Sequence, residues 1–444
     1  MSYSMSYSWR RGAQGGCPDA KLRPTRAGSE PATRHTGTPR APIFGIFVDV
    51  STNAPTAYFD TAADASRFIG SIAGATILAL DTEGASFHRF VDRIYLLQLS
   101  TRAQSAIIDP LPTGPLPELG RLLEDPGVEI VFHDADYDLR LLHQDYGWHA
   151  TNIFDTRIAS QLIGLKAFGL AALLERYFGV KLDKKHQRAD WSMRPLSRDM
   201  LDYAAQDTLY LLDLRDRLKA ELERLGRWEW AAEEFARLEG TRWPPDDDNG
   251  FLRVKGARDL DRRQLALFRE LVLWRDSVAG EIDRATFRVV GNEVLMEVAR
   301  TVPTTREELA AIKGMPRGML DRAAPDMLAA VRRGRAVPEA DLPRFPRAAR
   351  WDRDPEFDDK VARLKKIRDA AAERLQLDPG VLCSRDRMET VVRRAPASVE
   401  ALLDLKELRR WQVAEMGEEF VKALAGTKAA TPLPARDEES PYRD

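Results

Sequence analysis

Residues 76–84 read TILALDTEG, and residues 93–109 read RIYLLQLSTRAQSAIID. Their apolar, β-branched runs predict three strands that are close enough along the chain to be joined as hairpins. A fourth run, VEIVFHD at residues 128–134, is followed by segments with helical spacing. We therefore expect a mixed sheet flanked by helices, which is an α/β fold.

Acidic side chains stand at the ends of these predicted elements. Asp81 and Glu83 are two residues apart at the end of the first strand, so both side chains leave the same face of the sheet. Asp138 is expected in the first turn of the helix after the fourth strand, with Asp134 and Asp136 beside it. Residues 197–225 have helical spacing and predict one long helix that Ser197 can cap, in which Tyr203 and Asp207 are four residues apart and share one face. The spacing predicts one acidic site.

The residue types at this site indicate its chemistry. Carboxylates are the ligands that hard cations such as Mg²⁺ and Mn²⁺ prefer. Two such ions, about 3.5–4 Å apart, can activate a water on one side of a phosphodiester and stabilise the leaving oxygen on the other. The first half of the chain therefore predicts a two-metal phosphodiesterase whose candidate residues are Asp81, Glu83, Asp138, Asp207 and Tyr203.

Length and composition limit the alternatives. A chain of 444 residues favours two or three domains, and a formal charge of -2 argues against a globally basic nucleic-acid binder. Cys17 and Cys383 lie far apart, which supports neither a disulfide framework nor a structural zinc site. No apolar run approaches the roughly 20 residues of a membrane span, and the N-terminus lacks an apolar signal core. We expect a cytoplasmic protein.

The second half of the chain contains a tandem repeat. Arg275-Asp276 matches Arg368-Asp369, and Leu309 matches Leu402, always at an offset of 93 residues. A constant offset without gaps predicts two copies of one helical module. The expected order is a disordered basic tail at 1–42, an α/β domain at 43–225, a linker at 226–257, a first module at 258–336, a connector at 337–356, a second module at 357–428 and a disordered tail at 429–444.

Further motifs surround the acids: DTE at 81–83, H-x-x-x-x-D at 133–138, Asp155-Thr156, LDK at 182–184, DWSMRPL at 190–196 and Y-x-x-x-D at 203–207. This set resembles ribonuclease D, a family of DEDD 3′→5′ exonucleases with a Tyr in the last motif. The resemblance covers about residues 45–225, and the LDK and DW…RPL segments are more specific than the acids. Both modules resemble HRDC domains, the small helical nucleic-acid-binding bundles that follow the exonuclease domain in that family.

The resemblance implies a ribonuclease H-like α/β domain followed by two all-α HRDC bundles. It implies that two divalent ions are held by Asp81, Glu83, Asp138 and Asp207, and that Tyr203 orients or helps to deprotonate the attacking water. The family often places an aromatic residue directly after DTE, whereas this chain has Gly84 there. Phe87, Trp191 and Arg194 are the candidates for contact with the 3′ end of the substrate, and a packing role is the alternative for Phe87 and Trp191.

The implied function is a metal-dependent 3′→5′ exoribonuclease. It would trim the 3′ ends of structured RNA precursors such as tRNA, release nucleoside 5′-monophosphates, and act as a monomer without a membrane partner. A 3′→5′ DNA exonuclease is an alternative, because the acids do not read the 2′-hydroxyl. A non-catalytic nucleic-acid-binding adaptor is a second alternative, and the intact set of four acids with Tyr203 argues against it.

Overall fold

The computed structural model describes residues 47–48, 56–183, 185–244, 249–346, 351 and 354–430. The predicted tail at 1–42 and nearly all of the tail at 429–444 lie outside these residues, as do Cys17 and Lys184. The described part forms a seven-stranded sheet in the order β1-β2-β5-β4-β3-β6-β7. The strands are β1 (Phe47–Val48), β2 (Thr56–Phe59), β3 (Ile77–Glu83), β4 (Leu96–Ser100), β5 (Ser105–Ile108), β6 (Glu129–Phe132) and β7 (Ile153–Asp155).

The sheet is mixed, as the sequence predicts. Strands β3, β4 and β5 form a consecutive antiparallel unit in which Leu80 pairs with Leu99 and Leu97 pairs with Ile108. Strand β6 joins β3 in parallel, and β7 joins β6 in the same direction. Because β3 and β6 run the same way, the residues that follow them meet at one edge of the sheet. Asp81, Glu83 and the segment leading to Asp138 occupy this edge.

Helices cover the sheet on two sides. Leu78 and Leu80 of β3 pack into one buried cluster with α1 and α4, whereas Ala79 packs into another with α5 and α8. This alternation is the two-residue period of a strand buried on both faces. The helices of this domain are α1 (Ala62–Ile72), α2 (Pro110–Thr113), α3 (Pro117–Leu123), α4 (Asp136–Tyr146), α5 (Thr156–Leu162), α6 (Leu170–Phe178), α7 (Arg198–Leu209), α8 (Leu211–Arg224) and α9 (Trp228–Leu238).

Two sequence-based expectations need correction. The linker predicted at 226–257 begins with helix α9, whose Phe235 is buried and lies 4.8 Å from the Phe154 ring, centroid to centroid. This part of the segment therefore belongs to the α/β domain. The long helix predicted after Ser197 is two helices, α7 and α8, which meet at Tyr210. The Ser197 side chain caps α7, as expected, by accepting a hydrogen bond from the Met200 amide at 3.3 Å.

The two modules are all-helical, as the sequence predicts, and their backbones repeat at the sequence offset. The first contains α10 (Arg262–Glu281), α11 (Thr286–Val289), α12 (Asn292–Thr301), α13 (Arg306–Ala311) and α14 (Arg317–Ala336). The second contains α15 (Phe357–Leu375), α16 (Pro379–Leu382), α17 (Arg385–Arg394), α18 (Val399–Asp404) and α19 (Arg410–Ala423). The bounds of α11, α12 and α13 coincide with those of α16, α17 and α18 after a shift of 93 residues. Val302 and Ala395, which end α12 and α17, both have positive φ (50° and 41°).

Within the described residues, no helix is long and apolar enough to span a bilayer.

Candidate active site

The structure brings three of the predicted acids together. Asp81 and Glu83 project from one face of β3, and Asp207 projects from α7, which packs against the same sheet. One carboxylate oxygen from each of the three residues lies within 4.8 Å of the other two. Three oxygens at this separation can share a cation as ligands.

Asp138 approaches the cluster from the first turn of α4. Its side chain is buried, and its Oδ1 accepts hydrogen bonds from the Thr82 amide at 3.0 Å and the Thr82 hydroxyl at 2.6 Å. The neighbouring acids point elsewhere, since Asp136 pairs with Arg140 at 2.7 Å and Asp134 pairs with Arg157. Among the three acids of this segment, Asp138 is therefore the one that faces β3.

Burial and mutual repulsion dominate the electrostatics of the site. Burial, followed by the charge of Asp207, raises the pKa of Asp81 well above its usual value. Burial, followed by the charge of Asp81, does the same to the pKa of Glu83 and of Asp138. Burial together with Asp138 raises the pKa of Asp207 to about 7.

The donor set fits a divalent cation. In the described parts of the chain, the neighbouring charges that shift the pKa values of Asp81, Glu83 and Asp207 are all carboxylates. Buried like charges without a basic partner are costly, and a bound hard cation with oxygen ligands removes that cost.

Tyr203 borders the acids from the same helix as Asp207, one turn earlier. Its ring lies 5.9 Å from the His186 ring and 6.0 Å from the Trp191 ring, centroid to centroid. Burial, followed by the charge of Asp207, raises the pKa of its phenol. The group beside the acids is therefore a protonated phenol, which can donate and accept hydrogen bonds.

Two of the predicted substrate contacts, Trp191 and Arg194, pack and form hydrogen bonds within the fold. The Trp191 side chain is 1% exposed and packs in the core beside Tyr203, so its ring has no free face for a base. Arg194 forms an ion pair with the buried Asp109 and donates to the carbonyls of Tyr95 at 2.8 Å and Trp191 at 2.7 Å. These bonds hold the guanidinium of Arg194, whose side chain is 25% exposed, against the fold, so in this structure Trp191 and Arg194 support the residues around the site.

Phe87 remains accessible in the loop after β3, with 46% of its surface exposed. The start of this loop explains Gly84, because the Tyr137 hydroxyl lies against the position that a Cβ would occupy. Tyr137 in turn donates to Asp92 at 2.5 Å. The sequence gives no signal for this pair, since the two residues are 45 positions apart and each lies in a different element.

Comparison with known proteins agrees with this geometry. A model of the 3′-5′ exonuclease family matches residues 56–223, and the HRDC domain model matches residues 264–331 and 359–424. The fold and site thus define a 3′→5′ exonuclease followed by two HRDC domains.

Similar proteins identify the family within this class of exonucleases. The chain is 32% identical over 328 residues to ribonuclease D of Granulibacter bethesdensis, covering 73% of this chain and 83% of that protein. It is 30% identical to ribonuclease D of Gluconacetobacter diazotrophicus, covering 82% of this chain and 92% of that protein. The crystal structure of Escherichia coli RNase D, an exoribonuclease involved in structured RNA processing, superposes with a TM-score of 0.66 at 26% identity, covering 84% and 99% of the two chains. The chain belongs to the ribonuclease D family.

The family assignment confirms the predicted fold and the predicted activity. The protein is a 3′→5′ exoribonuclease that binds nucleic acid, and exonucleases of this family depend on divalent metal ions.

Proposed function

We propose that the acidic site holds two divalent cations, Mg²⁺ or Mn²⁺, and that the enzyme trims the 3′ ends of structured RNA precursors such as tRNA. The observation that carries this proposal is the half-buried cluster of Asp81, Glu83 and Asp207, in which one carboxylate oxygen of each residue lies within 4.8 Å of the other two. When bound, the cations supply an activated water and charge stabilisation at the leaving oxygen. The products are nucleoside 5′-monophosphates.

Each residue has a distinct role in this proposal. Asp81 and Glu83 would hold the cations from the sheet, and Asp207 would hold them from α7. Thr82 donates two hydrogen bonds to Oδ1 of Asp138, which fix that carboxylate, so that Asp138 would add a ligand from α4. Tyr203 orients the attacking water through its phenol, one helical turn from Asp207.

RNA is the proposed partner for two reasons. The E. coli relative is involved in structured RNA processing, and the chain carries two HRDC domains, which are nucleic-acid-binding modules. We further propose that the enzyme works as a monomer in the cytoplasm. The buried free thiol of Cys383 suits that reducing compartment.

The test is a time course on a 3′-extended tRNA transcript labelled at its 5′ end. The native enzyme should shorten it stepwise, and EDTA should stop the reaction. Asp207→Asn should lower kcat roughly 10³-fold or more while RNA binding is largely kept, because the loss of one ligand removes several kcal/mol of charge stabilisation.

Asp213→Asn is the matched control, because Asp213 is an exposed acid on α8 whose side chain is 67% accessible. It should cleave at the native rate. Near-native turnover by Asp207→Asn would disprove the metal assignment. Equal or faster degradation of a matched DNA strand would remove the preference for RNA.

A further inference from the structure

Two exposed phenylalanines face each other across the junction of the α/β domain and the first module. Phe87 follows β3, and Phe287 lies in α11, with ring centroids 6.3 Å apart and planes at 77°. Their side chains are 46% and 44% exposed. Large apolar side chains usually reach the surface singly, so an exposed pair that spans two domains indicates a binding surface.

An arginine stands beside each ring. The Arg188 guanidinium carbon lies 5.3 Å from the Phe87 centroid, and that of Arg288 lies 6.0 Å from the Phe287 centroid. Arg288 also donates its Nε–H to the Phe87 carbonyl, which ties the two domains together at this point. Exposed aromatic faces combined with arginines are typical of surfaces that stack the bases and contact the phosphates of single-stranded nucleic acid.

Phe87 and Arg188 of this cluster lie on segments that lead directly to residues of the acidic site. Phe87 is four residues beyond Glu83, and the next residue, His88, contacts the Arg188 carbonyl through Nε2 at 3.1 Å. Arg188 itself follows His186 by two residues, and the His186 ring contacts Tyr203. A chain whose 3′ end reaches the acids therefore passes close to this cluster.

The space beside the cluster is large enough for a nucleotide. A cavity of about 720 Å³ borders the cluster on the side of Phe287, between Ser86 and Arg89 of the loop after β3 and Thr286 of the first module, whereas Phe87, Arg188 and Arg288 do not line it. Cavities of roughly 300–1,000 Å³ are the usual size of small-molecule sites.

The second module shows that the HRDC fold does not need these residues. At the offset of 93, Phe287 corresponds to Gly380 and Arg288 corresponds to Val381. The apolar residue that follows is buried in both copies, as Val289 in the first and Leu382 in the second. The core position is thus kept, while the exposed Phe-Arg pair occurs only in the copy that borders the acids.

We propose that Phe87, Arg188, Phe287 and Arg288 form a composite stacking site for the single-stranded RNA segment directly upstream of the terminal nucleotide. The first module contributes half of this site, so it takes part in positioning the substrate. The proposal rests on the proposed function, because it takes the RNA 3′ end to be held at the acidic cluster.

The test uses the full chain and two RNA substrates, a duplex with a single-stranded 3′ tail and a dinucleotide. Phe287→Ala should raise KM for the tailed RNA about 5- to 30-fold, which is the loss expected for one stacked base. The effect should fall on KM more than on kcat, and it should be smaller for the dinucleotide, which is too short to occupy the upstream segment. Arg288→Ala should act in the same direction.

Matched controls come from the same module. Leu273→Ala removes another exposed apolar side chain, 56% accessible, and Arg317→Ala removes another exposed arginine. Both should leave KM for the tailed RNA at the native value. Thermal unfolding of each variant should show the native transition.

A binding measurement separates this inference from the proposed function. A 2-aminopurine in the RNA tail loses fluorescence when its base stacks, and the Asp207→Asn variant binds the RNA without cutting it. Adding Phe287→Ala should weaken this binding and restore the fluorescence. Native affinity and fluorescence, or an equal rise of KM on tailed RNA and dinucleotide, would overturn the stacking site. Failure of the native enzyme to cut any RNA would overturn the proposed function alone.

Discussion

The two modules share one backbone but meet the α/β domain in different ways. The buried residues of the first module form a cluster of their own, which Phe90 of the α/β domain joins from outside. The buried residues of the second module form one continuous cluster with those of the α/β domain. The second module therefore shares a core with the α/β domain, whereas the first has a core of its own and contacts the α/β domain at the loop after β3.

The contacts of the second module are extensive and apolar. Trp230 of α9 stacks on Trp411 of α19 with ring centroids 4.7 Å apart and planes at 16°. Around this pair, Arg409 forms an ion pair with Glu234 at 3.2 Å, and Arg227 donates to the Leu375 carbonyl at 2.6 Å. Stacked aromatics surrounded by satisfied polar groups make a stable interface.

The contacts of the first module are few and involve mainly the loop after β3. The Phe90 ring packs against Gly280, where an added Cβ would lie 3.3 Å away. The Ala285 amide donates to the His88 carbonyl at 3.2 Å. Asp283 accepts from the Phe90 amide and from Arg89, both at 3.3 Å. A module held by one loop can shift without unfolding the rest of the chain.

The largest expected effect comes from breaking the shared core. Trp411→Ala should lower the free energy of unfolding by about 3–5 kcal/mol, because it removes a buried aromatic side chain and leaves a cavity. The α/β domain and the second module should still unfold in one transition. Urea denaturation followed by circular dichroism measures the loss, and hydrogen exchange shows which elements open together. Protection lost only in α15–α19 would show that the second module is independent after all.

A smaller effect is expected from weakening the contact between the first module and the α/β domain. Phe90→Ala should weaken its docking by about 1–2 kcal/mol, because Phe90 is only partly buried there. The module should stay folded, since its own cluster is intact. Hydrogen exchange should therefore rise in the loop after β3 and at Ala285, while α10 and α14 remain protected. Global unfolding of the module by Phe90→Ala would contradict the distinction between the two copies.

Residue spacing in the sequence predicts the positions of the acidic residues and of the two modules. A strand end fixes the direction of the Asp81 and Glu83 side chains, and one helix face fixes the direction of Tyr203 and Asp207, so the sequence predicts that each pair points the same way. The offset of 93 located both modules, since the copies retain their buried positions. Helix α9 was missed, although Trp228, Ala231 and Phe235 have helical spacing after Gly226, because the Pro and Asp residues further along dominated that segment.

Contacts between segments that are far apart in the sequence leave no spacing pattern from which they could be predicted. Arg194 was expected at the RNA because nothing in the sequence joins it to Asp109, which is 85 residues away and almost fully buried. Trp191 lies in a segment without a period, so the sequence does not decide between its packing role and a contact with the substrate. The contacts of each module with the α/β domain could not be predicted either, because Phe90 and Trp411 are single apolar residues whose partners come from another domain.

The smallest expected effect on stability comes from removing the ion pair between Asp283 of the first module and Arg89 of the α/β domain. Asp283 and its counterpart Gln376 both have positive φ, 45° and 53°, and both touch the α/β domain, the latter through its carbonyl at Gly164. Asp283→Asn keeps an acceptor for the Phe90 amide and tolerates this backbone, but it removes the ion pair with Arg89. Because the Asp283 side chain is 55% exposed, the loss should stay below about 1 kcal/mol.

This variant determines what holds the first module in place. If packing of Phe90 dominates, Asp283→Asn should raise hydrogen exchange at Ala285 less than Phe90→Ala does, and the difference from the native chain should shrink at high salt, because salt screens exposed charges. An effect as large as that of Phe90→Ala would mean that charge holds the module. The interface would then differ from that of the second module in the kind of force as well as in its extent.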